Sequence, residues 1–197
     1  MELKDAQTTI EKLLTDSAIS EYFTAEQLSE TAREMIVTIE SVLKNEKLER
    51  VEFGEDDKML FNFEENFIHL GLGMIKKMIN TWYTILSGGG IVFMGAQHQM
   101  IPREFIREYI ISSLRGIAAH EGGHRIIHLN PIRELGVTIE TLNQLGLSYL
   151  LNALFDCQND GRIMNTESTM REDVVNAREF NLARKTVTTW IHGKIYY

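Results

Sequence analysis

A helical pattern opens at Pro102 and runs to about Leu129, and its C-terminal half carries His120-Glu121-Gly122-Gly123-His124. No other stretch restricts the chain as much. At about 3.6 residues per turn, two histidines four apart leave one helix face one turn apart, spaced to hold a single metal ion. Glu121 is rotated to the neighbouring edge of that face, where it can reach an activated water without being a ligand. The two internal glycines each cost helix propensity, roughly 1 kcal/mol relative to alanine. Close approach of a backbone or a substrate at this face is one reason to accept that cost. The remaining sequence then has to supply what a metal site still lacks.

A catalytic zinc usually takes three protein ligands and leaves one position open. His128 continues the stripe of His120 and His124, but it lies two turns from His120, and one straight helix rarely lets three such side chains converge. A histidine near a helix C-terminus also interacts with the dipole. Asn130 stands where a metzincin would have its third histidine, and Ile127 stands where that pattern needs a glycine, so a metzincin completion fails. The third source is the helix carrying SYLLNALFDCQNDGR. There Asn152, Asp156 and Asp160 recur every four residues and share a face. Acids on an apolar helix are costly unless paired or bound to metal. An i, i+4 acid pair offers a ligand in one turn and, in the next, a carboxylate to hold a ligand imidazole by its other N–H.

HEGGH followed by such a helix resembles the zincin metallopeptidases, in the gluzincin arrangement; the resemblance covers about 120–162, and no single branch is singled out. It implies that His120 and His124 are zinc ligands, Glu121 the general base, Asp156 the third ligand and Asp160 the residue that buttresses a histidine, with Asn152 beside them. Two departures stand. The family's third ligand is normally glutamate, one methylene longer than Asp156, and its asparagine directly precedes the ligand, whereas Asn152 is four residues earlier. A looser similarity, to bacterial proteins pairing an HExxHxxxH helix with an N-x-x-x-D helix, would bring in His128. The fold implied is α+β and mostly helical, with a small sheet before the active-site helix and a ligand helix after it. The cofactor implied is one Zn2+.

Around this centre the periodicity predicts helices over 2–15, 24–48, 74–86, 138–164 (broken near Leu145-Gly146) and 171–190. Thr24 with Gln27 forms a capping box. Short strands are expected at 50–53, 59–63 and 67–72, with turns at Gly54–Asp57 and Glu64–Asn66. The apolar run 91–97 is expected to be the edge strand against which an extended peptide pairs. His69 is expected to pack within its strand, His98 to lie in a loop, and Met74, Met78, Met94 and Met100 to fill the core. Cys157 is expected to be a buried small hydrophobe. The chain reads as a single domain over 1–197: an N-terminal helical segment (1–48), a zincin-like core (50–164) and a C-terminal helix (165–197). The ending HGKIYY carries no stopping signal and leaves room for a continuation.

A formal charge of −8 argues against nucleic acid as a partner, since phosphates demand a basic stripe. No basic amphipathic stretch or long apolar run points to a membrane. The N-terminus lacks the apolar core of a secretory signal. The single cysteine excludes an internal disulfide and fits a reducing cytoplasm. The activity that the zincin resemblance implies is hydrolysis of a peptide or protein substrate, with His192, Tyr149, Arg162 or a terminal tyrosine as oxyanion donor. A zinc-binding interaction module without activity, and a hydrolase of non-peptide amides, are the competing classes. Glu121 weighs against the first, because a non-catalytic metal site has no use for a base.

Overall fold

Thr24 ends an extended segment and starts a helix by capping it: its hydroxyl accepts from Gln27 N at 3.2 Å, and the Gln27 side chain accepts from Thr24 N at 2.9 Å. The computed structural model describes residues 4–44, 46–62, 65–86, 102–127, 141 and 144–191. Among these, α1 (Lys4–Leu13) and a one-turn α2 (Ser17–Ser20) precede α3 (Ala25–Leu43). The latter buries Leu28, Ala32, Met35, Ile36, Ile39, Val42 and Leu43, the expected stripe. It stops at Leu43, short of the predicted end at 48, because Lys44 turns into the left-handed region at φ 57° and the following sequence is charged rather than apolar.

Three strands follow: β1 (Arg50–Gly54), β2 (Met59–Asn62) and β3 (Phe67–Gly71). β1 and β2 are consecutive but do not pair. β3 lies between them, parallel to β1 (Val51 opposite Ile68) and antiparallel to β2 (Phe61 opposite Ile68). Alternation turns Ile68 and Leu70 into the core, with Phe53 and Phe61 beside them. It turns His69 outward, half-buried over Gly54, with its ring nitrogen 2.8 Å from Asp56 Oδ2. Among the described residues this order leaves β2 at one edge of the sheet, against the helix Arg103–Ile127.

α4 (Met74–Leu86) buries Met74, Ile75, Met78, Ile79 and Trp82. α5 (Arg103–Ile127) begins directly after Pro102 and touches α3, α4, β2 and both later helices, α6 (Ser148–Thr166) and α7 (Arg171–Ile191), with a 3-10 turn at Ser168–Met170 between the last two. The break before α6 falls at Leu145-Gly146, where Gly146 adopts φ 68°. Ile106, Ile110 and Leu114 of α5 are fully buried. Trp82 stacks on Tyr109 and donates its indole N–H to Ser113 Oγ at 3.1 Å. The protein is thus mostly helical with a small three-stranded sheet. No helix among the described residues is long and apolar enough to cross a membrane.

α7 lies against α5 at Gly116, where an added Cβ would stand 2.0 Å from the Asp173 carbonyl oxygen. A backbone carbonyl cannot swing aside as a side chain can, so α7 would have to retreat. Gly116→Ala should therefore cost about 3 kcal/mol despite gaining helix propensity. Urea denaturation of wild type and variant measures this; equal midpoints would contradict the close approach.

Candidate metal centre

α5 and α6 meet in reverse order: His120 faces Asp160, and His124, one turn on, faces Asp156, one turn back. Three ligand atoms converge between them. His120 Nε2 and His124 Nε2 are 2.9 Å apart, and Asp156 Oδ1 lies 3.6 Å from the first and 3.5 Å from the second. Zinc ligands held tetrahedrally at about 2.0–2.1 Å stand roughly 3.3–3.4 Å from one another. The three observed separations bracket that spacing, and the donor set of two imidazoles and a carboxylate suits zinc. His120, His124 and Asp156 can therefore hold a metal ion.

The imidazole orientation is fixed from behind. His120 Nδ1–H donates to Asp160 Oδ1 at 2.6 Å, which commits Nε2 to the convergent side. Asp160 is itself buried, and its Oδ2 accepts from Arg178 Nε on α7. Asn159 Nδ2 donates to the His120 carbonyl at 2.6 Å. This bond explains one of the two glycines. A Cβ on Gly123 would fall 1.9 Å from Asn159 Oδ1, whereas one on Gly122 would meet the Ile39 backbone of α3 at an ordinary 3.5 Å. Only Gly123 is required by close approach.

Glu121, the next residue round α5 from His120, meets β2 of the sheet, where Phe61 N donates to Oε2 at 2.9 Å. Burial pushes its carboxyl up to about 7, against the pull of the His120 charge and the Phe61 N–H. Burial alone would depress His120. The hydrogen bonds with Asp156 and Asp160, and the Glu121 charge, override it and hold the ring's pKa up to about 9. Desolvation opposes ionisation of Asp156 as well, yet contact with His120 and the charges of His120, His124 and Arg178 keep it below the ordinary carboxylate range. Two ring nitrogens at 2.9 Å require a proton or a cation between them.

Arg162 sits in the electrostatic field of Glu167, and burial lowers its guanidinium. Cys157 is exposed, a correction of the buried reading: Asp156 and Asp160 face α5, so the residue after Asp156 is turned about 100° away, to the open groove between α6 and α7. Leu150 and Leu154 are likewise exposed, so the polar face of this helix is the inward one. The side chains of Tyr149 and Asn152, together with His98, His128, His192, the terminal tyrosines, Met94, Met100 and the run 91–97, lie outside the described residues. Asn159, Arg178 and the Phe61 N–H were not legible in advance; the only local signal was the adjacency of Asn159 to Asp160. Comparison with protein-family models, with curated proteins and with solved structures returns no match.

The glycine asymmetry is testable. Gly123→Ala should cost about 2 kcal/mol by expelling Asn159 and leaving buried polar groups unpaired. Gly122→Ala should be neutral or gain up to ~1 kcal/mol of helix propensity. Denaturant midpoints that move in the opposite order would refute the packing.

The two raised pKa values act on stability in the same direction. His120, with a folded pKa of about 9 against an ordinary 6.5, stabilises the fold fully below 6.5 and loses that contribution as pH rises through 9. Glu121, raised from 4.5 to about 7, is protonated in the fold at low pH and costs stability as it ionises. Chelator-treated protein should therefore melt progressively lower between about pH 5 and pH 9, and His120→Ala should flatten the upper half of that slope. A wild-type melting temperature that rises over this window would contradict the assignment.

Proposed function

We propose that this chain is a zinc-dependent peptidase with a zincin-like, gluzincin-type centre in which His120, His124 and Asp156 hold one zinc ion and Glu121 is the general base. The observation that carries the reading is the convergence of two Nε2 atoms and Asp156 Oδ1 within 3.6 Å, with Asp160 behind one ring and Glu121 beside it. Bound zinc supplies Lewis-acid polarisation of a carbonyl and acidifies water toward a pKa of ~7.

Everything else falls to the chain's own groups. Phe61 N–H engages Glu121 Oε2, so Oε1 is the oxygen offered to the attacking water. Glu121 accepts a proton from that water as its oxygen bonds to the scissile carbonyl carbon, then delivers the proton to the departing amine as the C–N bond breaks. A carboxyl raised to about 7 by burial suits both halves of this exchange near neutral pH. Asp156 and the Asp160–His120 pair keep the ligand set rigid while the proton moves. Among the described residues β2 is the sheet edge beside Glu121, and an extended peptide paired along it would lie next to the centre. We also propose a cytoplasmic location, on the strength of the single unpaired Cys157.

The test joins metal analysis to turnover of an unstructured peptide mixture. Wild-type protein should carry about one zinc, Glu121→Gln should keep the metal while losing 10²–10⁴-fold in turnover (approximate range), and Asp156→Ala should lose the metal. Substoichiometric zinc in carefully prepared wild type would sink the metal reading. Full turnover by the Gln variant would sink the peptidase mechanism alone.

A further inference from the structure

Asp160 has two carboxylate oxygens, and holding His120 uses one of them. The other accepts from Arg178 Nε, eighteen residues further along the chain and on a different helix. The two partners differ sharply in exposure: the Asp160 side chain is 7% exposed and that of Arg178 47%. The guanidinium thus reaches in from the surface, across a groove of about 420 Å³ between α6 and α7 that Met164, Val174 and Val175 help to wall. Glu179, also at the groove, is exposed, so the inward direction of Arg178 is set by Asp160 and not by its neighbour on α7.

A carboxylate held by a single donor can rotate about its Cβ–Cγ bond, and the imidazole it holds then turns with it. Two donors on opposite oxygens remove that freedom. Arg178 also sits five residues from Asp173, the point at which α7 is fixed to α5, so its reach to Asp160 is set by the docking of the same two helices.

We propose that Arg178 is a positioning residue of the metal centre: acting through Asp160, it locks the His120 ring with Nε2 toward His124 and Asp156. It touches neither metal ligand atoms nor substrate. The link from Arg178 to His120 stands on hydrogen-bond geometry, while its consequence for metal affinity rests on the zinc reading above. The planar guanidinium presents Nε–H at a fixed angle, which an ammonium cannot reproduce, although lysine restores the charge.

Arg178→Met and Arg178→Lys in the full chain separate these possibilities, with circular dichroism as the check on folding. Zinc affinity is read by competition with a chromophoric chelator, and the His120 ring nitrogens by ¹⁵N NMR of the zinc-free protein, assigned with His120→Ala. The Met variant should bind zinc about tenfold more weakly and shift the His120 Nδ1 resonance, whose N–H is held by Asp160. The Lys variant should recover most of the affinity. Unchanged affinity together with an unchanged His120 signal in the Met variant would overturn the proposal. If wild type binds no zinc, the metal reading fails on its own, and the ring signal alone decides: perturbed by Arg178→Met it supports the link, unperturbed it overturns it.

Discussion

The buried carboxylate of Asp173 is the interaction on which the helical packing depends. It accepts from Ser112 Oγ at 2.6 Å and from two nitrogens of Arg115 at 2.8 and 2.9 Å, while a third nitrogen of Arg115 reaches Glu34 on α3 at 3.0 Å. Asn176 then donates to the same Ser112 hydroxyl at 2.8 Å. One guanidinium thereby ties α3, α5 and α7 together, in the forked geometry that arginine alone provides. Burying such ions costs several kcal/mol each before pairing, so the network fixes which helices pack and in what register more than it adds net stability. Gly116 permits it, because any side chain there would hold α7 off and strand the carboxylate.

Along α5 the character of the packing changes. Its first half is locked by apolar burial at Ile106, Ile110 and Leu114. Its last two turns meet α6 through His120, His124, Asp156, Asn159 and Asp160, backed only by a small apolar cluster of Val42, Ala119, Ile163 and Val174. A polar interface of this kind is stable only when each group is satisfied. With a proton between the imidazoles it is satisfied one way, and a cation in the same place would satisfy it another way. Docking of α6 and occupancy of the centre are therefore linked quantities, as in metal sites whose binding energy is also folding energy.

What the sequence revealed divides along the same line. Local periodicity places His120 with His124 and Asp156 with Asp160 on single faces, because a helix converts a four-residue step into a shared direction. The Thr24 cap, the break at Leu145-Gly146 and the bounds of α4 are legible for the same reason. Tertiary choices are not. Nothing in the strand patterns says that β3 inserts between β1 and β2, which is what carries Phe61 N–H to Glu121. The acids of the SYLLNALF helix face α5, as their spacing predicts, but an apolar run does not reveal that Leu150 and Leu154 face out. Cys157, expected to be buried as a small hydrophobe, is exposed because its side of α6 opens on a groove. Asn159 and Arg178 look like ordinary surface polar residues until two helices bring them to one imidazole.

The charges around the centre can be counted once Arg178 is included. Asp160 would by itself add a second full negative charge behind His120, but Arg178 neutralises it from the groove side. Asp156 remains as the single carboxylate among the three convergent atoms. On the proposed reading, a dication held by two neutral imidazoles and one carboxylate would keep a residual positive charge of about one, which acidifying water requires. A second anionic ligand would quench that charge and hold the ion more tightly at the expense of its acidity. Pairing Asp160 outward, with its remaining oxygen on His120, therefore keeps its orienting role while sparing the centre most of its charge.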